Sequence, residues 1–179
     1  AFYGPKIDFM ATDALGREWQ LATPQLDFVQ PERFGLTYTN TEGKPQTPVM
    51  IHFALMGSIE RFLSVYIEHV AGAFPLWLSP VQVKVVPIST DKHMDYAKEV
   101  SDILLENNIR ADLDETNESL GKKIRNAKLA KIPYLIIIGQ KEVDAQNLSV
   151  SQGNTDLGQM TTDQLVDSLK QKIETKAIS

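Results

Sequence analysis

Pro48-Val-Met-Ile-His-Phe-Ala-Leu-Met-Gly-Ser-Ile-Glu-Arg-Phe62 carries a strand-like run straight into a helix. Val49, Ile51, Phe53 and Leu55 alternate with Met50, His52, Ala54 and Met56, a period of two with both faces largely apolar. Such a pattern predicts a central strand covered on both sides. Gly57 ends it, Ser58 is suited to cap a helix, and Glu60 places negative charge in the first turn, where the helix dipole favours it. Ile59, Phe62, Leu63, Tyr66 and Val70 then recur at helical spacing. His52 inside the strand and Arg61 at the start of the helix are the chemically suggestive residues.

Upstream, two apolar segments, Ile7 to Phe9 and Trp19 to Phe28, flank Asp13-Ala14-Leu15-Gly16-Arg17, and the Asp and Gly of that interval predict the turn of a β-hairpin. The turn-rich Thr39 to Pro45 leads back into the run at Pro48. Short connections make this part antiparallel in character. Downstream, Gly72 stops the helix, and Pro75 and Pro80 bracket an aromatic connector, Phe74-Pro75-Leu76-Trp77-Leu78. The boundary between two domains is expected there, residues 1–78 forming one and 79–179 the other.

From Val81 the pattern changes. Val81 to Ile88 predicts a buried strand, Met94 to Glu106 a helix, Ile109 to Leu113 a strand, Leu120 to Lys131 a helix and Tyr134 to Ile138 another buried strand. This alternation implies a mostly parallel sheet flanked by helices. Gln140-Lys141-Glu142 is a turn leading to a weaker strand, Asn147 to Ser151, suited to antiparallel pairing. Thr161-Thr162-Asp163-Gln164 matches a capping box, with Leu165, Val166, Leu169 and Ile173 as the apolar face of the last helix.

Composition limits the function classes. The 42% apolar and 23% charged fractions are those of a soluble globular protein, and no apolar run approaches the roughly 20 residues of a membrane helix. No membrane partner is expected. The chain has no cysteine, so it holds neither disulfide nor thiolate metal site, which suits a cytoplasmic location. A net charge of −5 excludes a generally basic nucleic-acid-coating protein, so nucleic-acid contact requires a local patch. The densest basic run is Lys122, Lys123, Arg125, Lys128 and Lys131. It is either a solvated helix face or a surface for RNA phosphates.

Several blocks together carry a resemblance: Ala1 to Asp8 (AFYGPKID), Trp19-Gln20 with Thr23 and Gln25-Leu26-Asp27-Phe28, Pro48 to Phe62, and Ala71 to Pro80. In this order they resemble the carboxy-terminal half of threonyl-tRNA synthetases, and Gly57-Ser58-Ile59-Glu60-Arg61 looks like motif 3 of the class II synthetases. Asn117, Leu120-Gly121, Ile124-Arg125 and Gly139 to Glu142 resemble the anticodon-binding domain that follows it. The resemblance implies an antiparallel class II catalytic-domain fragment (α+β) followed by an α/β anticodon-binding domain. It further implies a threonine–tRNA ligase that uses ATP with Mg²⁺ and threonine, binds threonine tRNA and forms a homodimer. The chain would be a carboxy-terminal part, inactive alone; a tRNA-binding module descended from such an enzyme is the other reading.

The same resemblance assigns site residues. His52 would be one of three ligands of a catalytic Zn²⁺ that distinguishes threonine from valine, the other two, a cysteine and a histidine, lying upstream of Ala1. Arg61 would stack on adenine or pair with a phosphate; Gln20 and Gln25, with Thr23 close by, would lie near ATP or the adenylate. Tyr3 and Lys6 would line the threonine pocket, and Ser58 would cap its helix beside the nucleotide. Asn117, Arg125 and Glu142 would contact the anticodon. The chain departs from the family at Leu21-Ala22, where Cys-Gly is usual, and at Phe53 and Ser151, where arginines are usual.

Overall fold

The computed structural model describes residues 2–178, so Ala1 of the opening block lies outside the described residues. Two compact units result, Ala1–His69 and Val70–Ser179.

In the first unit, β1 (Phe9–Thr12) and β2 (Glu18–Asp27) form the expected hairpin. Asp13 Oδ1 accepts hydrogen bonds from Leu15 N and Arg17 N, both at 2.9 Å, which is why an acidic residue starts this turn. Ahead of β1, Leu26 N donates to Pro5 O and Phe28 N to Tyr3 O, so residues 3–7 run along β2. The short helix α1 (Gln30–Arg33) and a small hairpin of β3 (Tyr38–Thr39) and β4 (Pro45–Gln46) lead to β5 (Met50–Ala54) and helix α2 (Ile59–His69).

β5 corrects the expectation of a buried central strand. The sheet order is β1-β2-β5, which puts it at an edge, and Ile51 and Phe53 are 65% and 58% exposed. The reason is physical: an apolar pattern on both faces reports the environment a strand is suited to, not its neighbours. Helix α2 buries none of its residues, and neither hydrophobic core cluster contains a residue of this unit.

The second unit has the full layered architecture. Its five-stranded sheet runs β10-β9-β8-β6-β7, with β6 (Val83–Pro87), β7 (Ala111–Leu113) and β8 (Tyr134–Ile138) parallel. β9 (Leu148–Gln152) and β10 (Thr155–Met160) add antiparallel strands. Alternate residues feed opposite cores: Val83, Val85, Ile136 and Ile138 pack with α3 (Thr90–Glu106) and α6 (Thr162–Glu174), while Val86 and Leu135 pack with Ala127 of α4 (Leu120–Leu129). Cover on both faces accounts for the continuous apolar runs of β6 and β8. The connector belongs to this unit, since Leu76 is buried in its core and Gln82 Nε2 donates to Leu76 O at 2.9 Å.

Thr161 and Gln164 close the expected capping box of α6, each side chain bonding the other's backbone N–H. Two elements differ from expectation. Gln140–Ala145 forms a helix, α5, rather than a plain turn, and β10 had no counterpart in the sequence reading. β10 is exposed except at Met160 and is interrupted by a bulge before Gly158, so it has neither alternation nor an apolar face. No helix among the described residues is long and apolar enough to cross a membrane.

Candidate functional site

Strand alternation puts Thr23, Gln25 and Asp27 on one face of β2, and antiparallel pairing sets His52 directly opposite Gln25. Tyr3, Lys6 and Asp8 add their side chains to this polar face. Asp8 is its hub: Lys6 Nζ lies 2.6 Å from Asp8 Oδ2, while Thr23 Oγ1 and Gln20 Nε2 donate to Asp8 Oδ1 at 2.7 and 2.8 Å. The hydrogen bonds from Lys6 and Thr23 hold the Asp8 carboxyl below the usual carboxylate range. Gln25 Nε2 reaches Gly4 O at 3.5 Å, and the Tyr3 ring lies 6.3 Å from that of His52. Gly4 permits this approach, because a Cβ there would stand 2.6 Å from Leu26 O.

Arg61 reaches the same strand from α2. Its Nη1 donates to Gln20 O at 3.3 Å, and its backbone N–H donates to Ser58 Oγ at 3.2 Å, so Ser58 caps the helix. The junction is close because of Gly57: φ is +62°, and a Cβ would meet Gln20 O at 2.9 Å. Arg61, Trp19, Leu21, Met56, Phe62 and Tyr66 line a cleft of about 510 Å³. Leu21 is thus part of that wall. Phe53 pairs with Pro24 on the opposite face from His52.

The sequence reading missed Asp8 and Asp27 as site residues. Asp27 is fully buried; its Oδ1 accepts from Val29 N and Gln30 N at 2.8 and 2.9 Å, and its Oδ2 lies 2.6 Å from His52 Nε2. Burial pushes its carboxyl up, but the bonds from Gln30 N, His52 and Val29 N outweigh that and hold it below the usual range. The one available signal was an acidic residue inside a strand, where Asp is disfavoured.

These residues do not build a zinc centre. A protein zinc site takes at least three ligands, and no group of three or more His, Cys, Asp or Glu side chains suited to a metal ion occurs among the described residues. His52 has its Nε2 engaged by Asp27, leaving the lone pair of Nδ1 as the one it could offer a metal.

In the second unit the carboxyl ends of β7, β6 and β8 bring Asn117 and Glu142 to one edge of the sheet, the position where open α/β sheets place ligands. Asn117 is exposed on the loop after β7, and Arg125 is exposed on α4. Glu142 is buried: its Oε2 accepts from Gly139 N at 2.9 Å, closing a cap on α5, and Oε1 lies 3.5 Å from Gln159 Nε2. Ser151 is partly buried on β9 between Leu135 and Asp156.

The basic run is not one face. Lys123 is 1% exposed and cannot meet RNA phosphate, which corrects its inclusion in that surface. Helical spacing puts it with Leu120, Ile124 and Ala127 on the inward side of α4. Lys122 pairs with Glu118 at 2.7 Å, and Lys128 donates to Asn154 Oδ1 at 3.0 Å.

Comparison with known proteins accords with both units. The anticodon binding domain family matches residues 82–172, and the tRNA synthetase class II core domain (G, H, P, S and T) matches residues 1–70. The threonine–tRNA ligase of Chlorobium phaeobacteroides (strain BS1) is 53% identical over 178 residues, covering 99% of this chain and 27% of that protein. That of Caldanaerobacter subterraneus subsp. tengcongensis is 50% identical over 179 residues, covering 99% and 28%. The chain thus spans little more than a quarter of these relatives' length. Among solved structures, the RNA binding domain of threonyl-tRNA synthetase from Cryptosporidium parvum Iowa II superposes with a TM-score of 0.81 at 39% identity, over 96% of this chain and 44% of that one. The putative threonyl-tRNA synthetase ThrRS-1 from Aeropyrum pernix gives 0.63 at 28% identity, over 98% and 43%. With a class II core segment over residues 1–70 and an anticodon-binding domain over residues 82–172, the chain belongs to the threonyl-tRNA synthetase family.

Proposed function

We propose that the chain serves in threonine–tRNA ligation, its first unit contributing residues to the site for threonine and ATP and its second holding the anticodon arm of threonine tRNA. The observation that carries this reading is the convergence on β2: Lys6, Asp8, Gln20 and Thr23 form one hydrogen-bonded network, and Arg61 is fixed on Gln20 O. In this reaction the threonine carboxylate attacks the α-phosphorus of ATP and pyrophosphate leaves. A hydroxyl of the terminal tRNA adenosine then attacks the adenylate carbonyl and AMP leaves.

The chain's share is positioning and electrostatics. Arg61, planar and permanently charged, stacks on adenine or pairs with a phosphate oxygen. The Gln20 and Gln25 amides hydrogen-bond the adenylate with Thr23 beside them, Ser58 fixes the helix start, and Tyr3 and Lys6 bound the threonine side. Mg²⁺ bound to ATP supplies charge neutralisation. His52 offers one zinc ligand, and no step is assigned to zinc in this chain. Asn117 and Arg125, both exposed, face the anticodon, whereas Glu142, expected there too, is buried with its carboxylate on Gly139 N and Gln159 and acts by holding the start of α5. A cytoplasmic location and pairing of two copies go with this reading; sedimentation velocity checks the latter.

Two measurements test it. The purified 179-residue chain is expected to bind threonine tRNA on filters, more weakly after Asn117→Ala, and to show no threonine-dependent ATP–pyrophosphate exchange. A chimera in which the chain replaces the matching segment of the Chlorobium ligase is expected to form threonyl-tRNA. A second reading, a tRNA-binding module, is favoured by the well-packed core of the second unit against the exposed apolar faces of the first. An inactive chimera that still binds tRNA would select it.

A further inference from the structure

A lysine on the inward face of a helix is costly unless its charge is paired and its protons are accepted. Lys123 meets both conditions: Nζ lies 3.6 Å from Asp114 Oδ1 and donates to Pro87 O, at the end of β6, at 3.2 Å. Asp114, itself 6% exposed, begins the loop after β7 that carries Asn117. Its N–H bonds Val85 O at 2.9 Å, and its Oδ1 accepts from Thr116 N at 3.0 Å and Thr116 Oγ1 at 2.5 Å, folding the loop back on itself just ahead of Asn117. Lys84 approaches the other carboxylate oxygen at 4.0 Å. Burial pushes Asp114 up, but the Thr116 donors, then Lys123 and Lys84, outweigh it and keep the group ionised. The far end of the loop is held by the same residue: Ser119 O accepts from Lys123 N at 3.1 Å and from Lys122 N at 2.9 Å. Lys123 therefore grips both ends of residues 114–119, by its ammonium at Asp114 and its backbone N–H at Ser119.

We infer that Lys123 is a positioning residue for anticodon recognition, which sets the loop presenting Asn117 through Asp114 and Thr116 instead of contacting RNA phosphate. The inference rests on the reading above that Asn117 contacts an anticodon base. It separates two roles that a basic helix confounds: a phosphate contact adds sequence-independent affinity with a steep salt dependence, whereas a loop anchor adds affinity that passes through one base contact.

The test uses the full chain and an anticodon stem–loop RNA of a threonine tRNA, with Kd measured over a salt series for Asn117→Ala, Lys123→Met, Thr116→Val and the Asn117→Ala/Thr116→Val pair. Lys123→Met is expected to weaken binding about tenfold, the low end for a lost hydrogen bond involving a charged group, and Thr116→Val about threefold, the size of an ordinary lost hydrogen bond. Both should leave the slope of log K against log salt unchanged. In the Asn117→Ala background Thr116→Val should cost nothing further, the signature of action through that side chain. Thr116 is exposed, so its variant folds and decides the matter if circular dichroism shows Lys123→Met unfolded. The inference is overturned if Asn117→Ala weakens binding but Thr116→Val does not. It is also overturned if Lys123→Met lowers the salt slope by about one, the mark of a lost phosphate contact, or if the Thr116 and Asn117 effects add in full. If Asn117→Ala itself has no effect, the base-reading assignment is wrong and the inference falls with it.

Discussion

Gly57→Ala should damage the proposed ATP edge far more than a glycine change in open space. Residue 57 sits at φ +62°, where alanine costs about 1–2 kcal/mol. Its new Cβ would also stand 2.9 Å from Gln20 O, a backbone atom of a strand paired on one side with Met10, so the β5–α2 junction must give way instead. Overpacking of this kind costs about 1–3 kcal/mol, for a total of about 2–5 kcal/mol. The bond from Arg61 Nη1 to Gln20 O is already 3.3 Å long, and a shift of about half an ångström removes it. In the chimera, displacement of a positioning group on this scale predicts a loss of about 10²-fold in kcat/KM for aminoacylation. Gly43→Ala is the matched control: φ is +77°, but nothing lies within 4 Å of its added Cβ, so it should lower stability by only about 1–2 kcal/mol and leave kcat/KM within about twofold. Equal effects of the two substitutions would refute the argument, because the close approach to Gln20 would then have no consequence.

Other outcomes follow from the same geometry. Gly139→Ala places a Cβ 2.7 Å from Ile88 Cδ1, the far end of a half-exposed side chain that can turn aside, and 3.1 Å from Glu142 Oε2; the urea midpoint of the second unit should fall by the equivalent of only about 0.5–1.5 kcal/mol. Thr161→Ala removes the cap on α6 and should cost about 1 kcal/mol in the same assay, with threonine tRNA affinity unchanged. Asp114 is held below its unfolded value of about 3.9, so its contribution is complete above that pH and disappears as pH falls through the lower folded value. Urea midpoints measured from pH 6 down to 2 should fall more for the parent chain than for Asp114→Asn; parallel curves would contradict this.

The second unit was legible in the sequence because its physical environment is complete. Tyr134–Ile138 is apolar at every position and is covered on both faces, and the Thr161–Gln164 spacing produced the cap it encodes. Met50–Ala54 carries a similar pattern yet lies at an exposed edge, because apolar alternation specifies cover without specifying neighbours. The polar, bulged Thr155–Met160 strand is set by backbone pairing to β9, which leaves no mark on side-chain periodicity.

The candidate sites show the same division. Lys6, Gln20, Thr23, Gln25, His52 and Arg61 were named from family blocks, and the fold gathers them on or against β2. Asp8 and Asp27, which tie that face together, offered no spacing signal and emerged only from hydrogen bonds. Lys123 was legible in principle, since positions 120, 123, 124 and 127 form one helical stripe, but counting charge along the run concealed it.

The role of Arg61 is decided by threonyl-tRNA formation by the chimera, compared with its Arg61→Ala variant at saturating threonine and varied ATP. The chimera is expected to be active and to lose at least about 10²-fold in kcat/KM for ATP on removal of the guanidinium. An active chimera indifferent to Arg61→Ala, or a folded, tRNA-binding chimera with no activity, would contradict this.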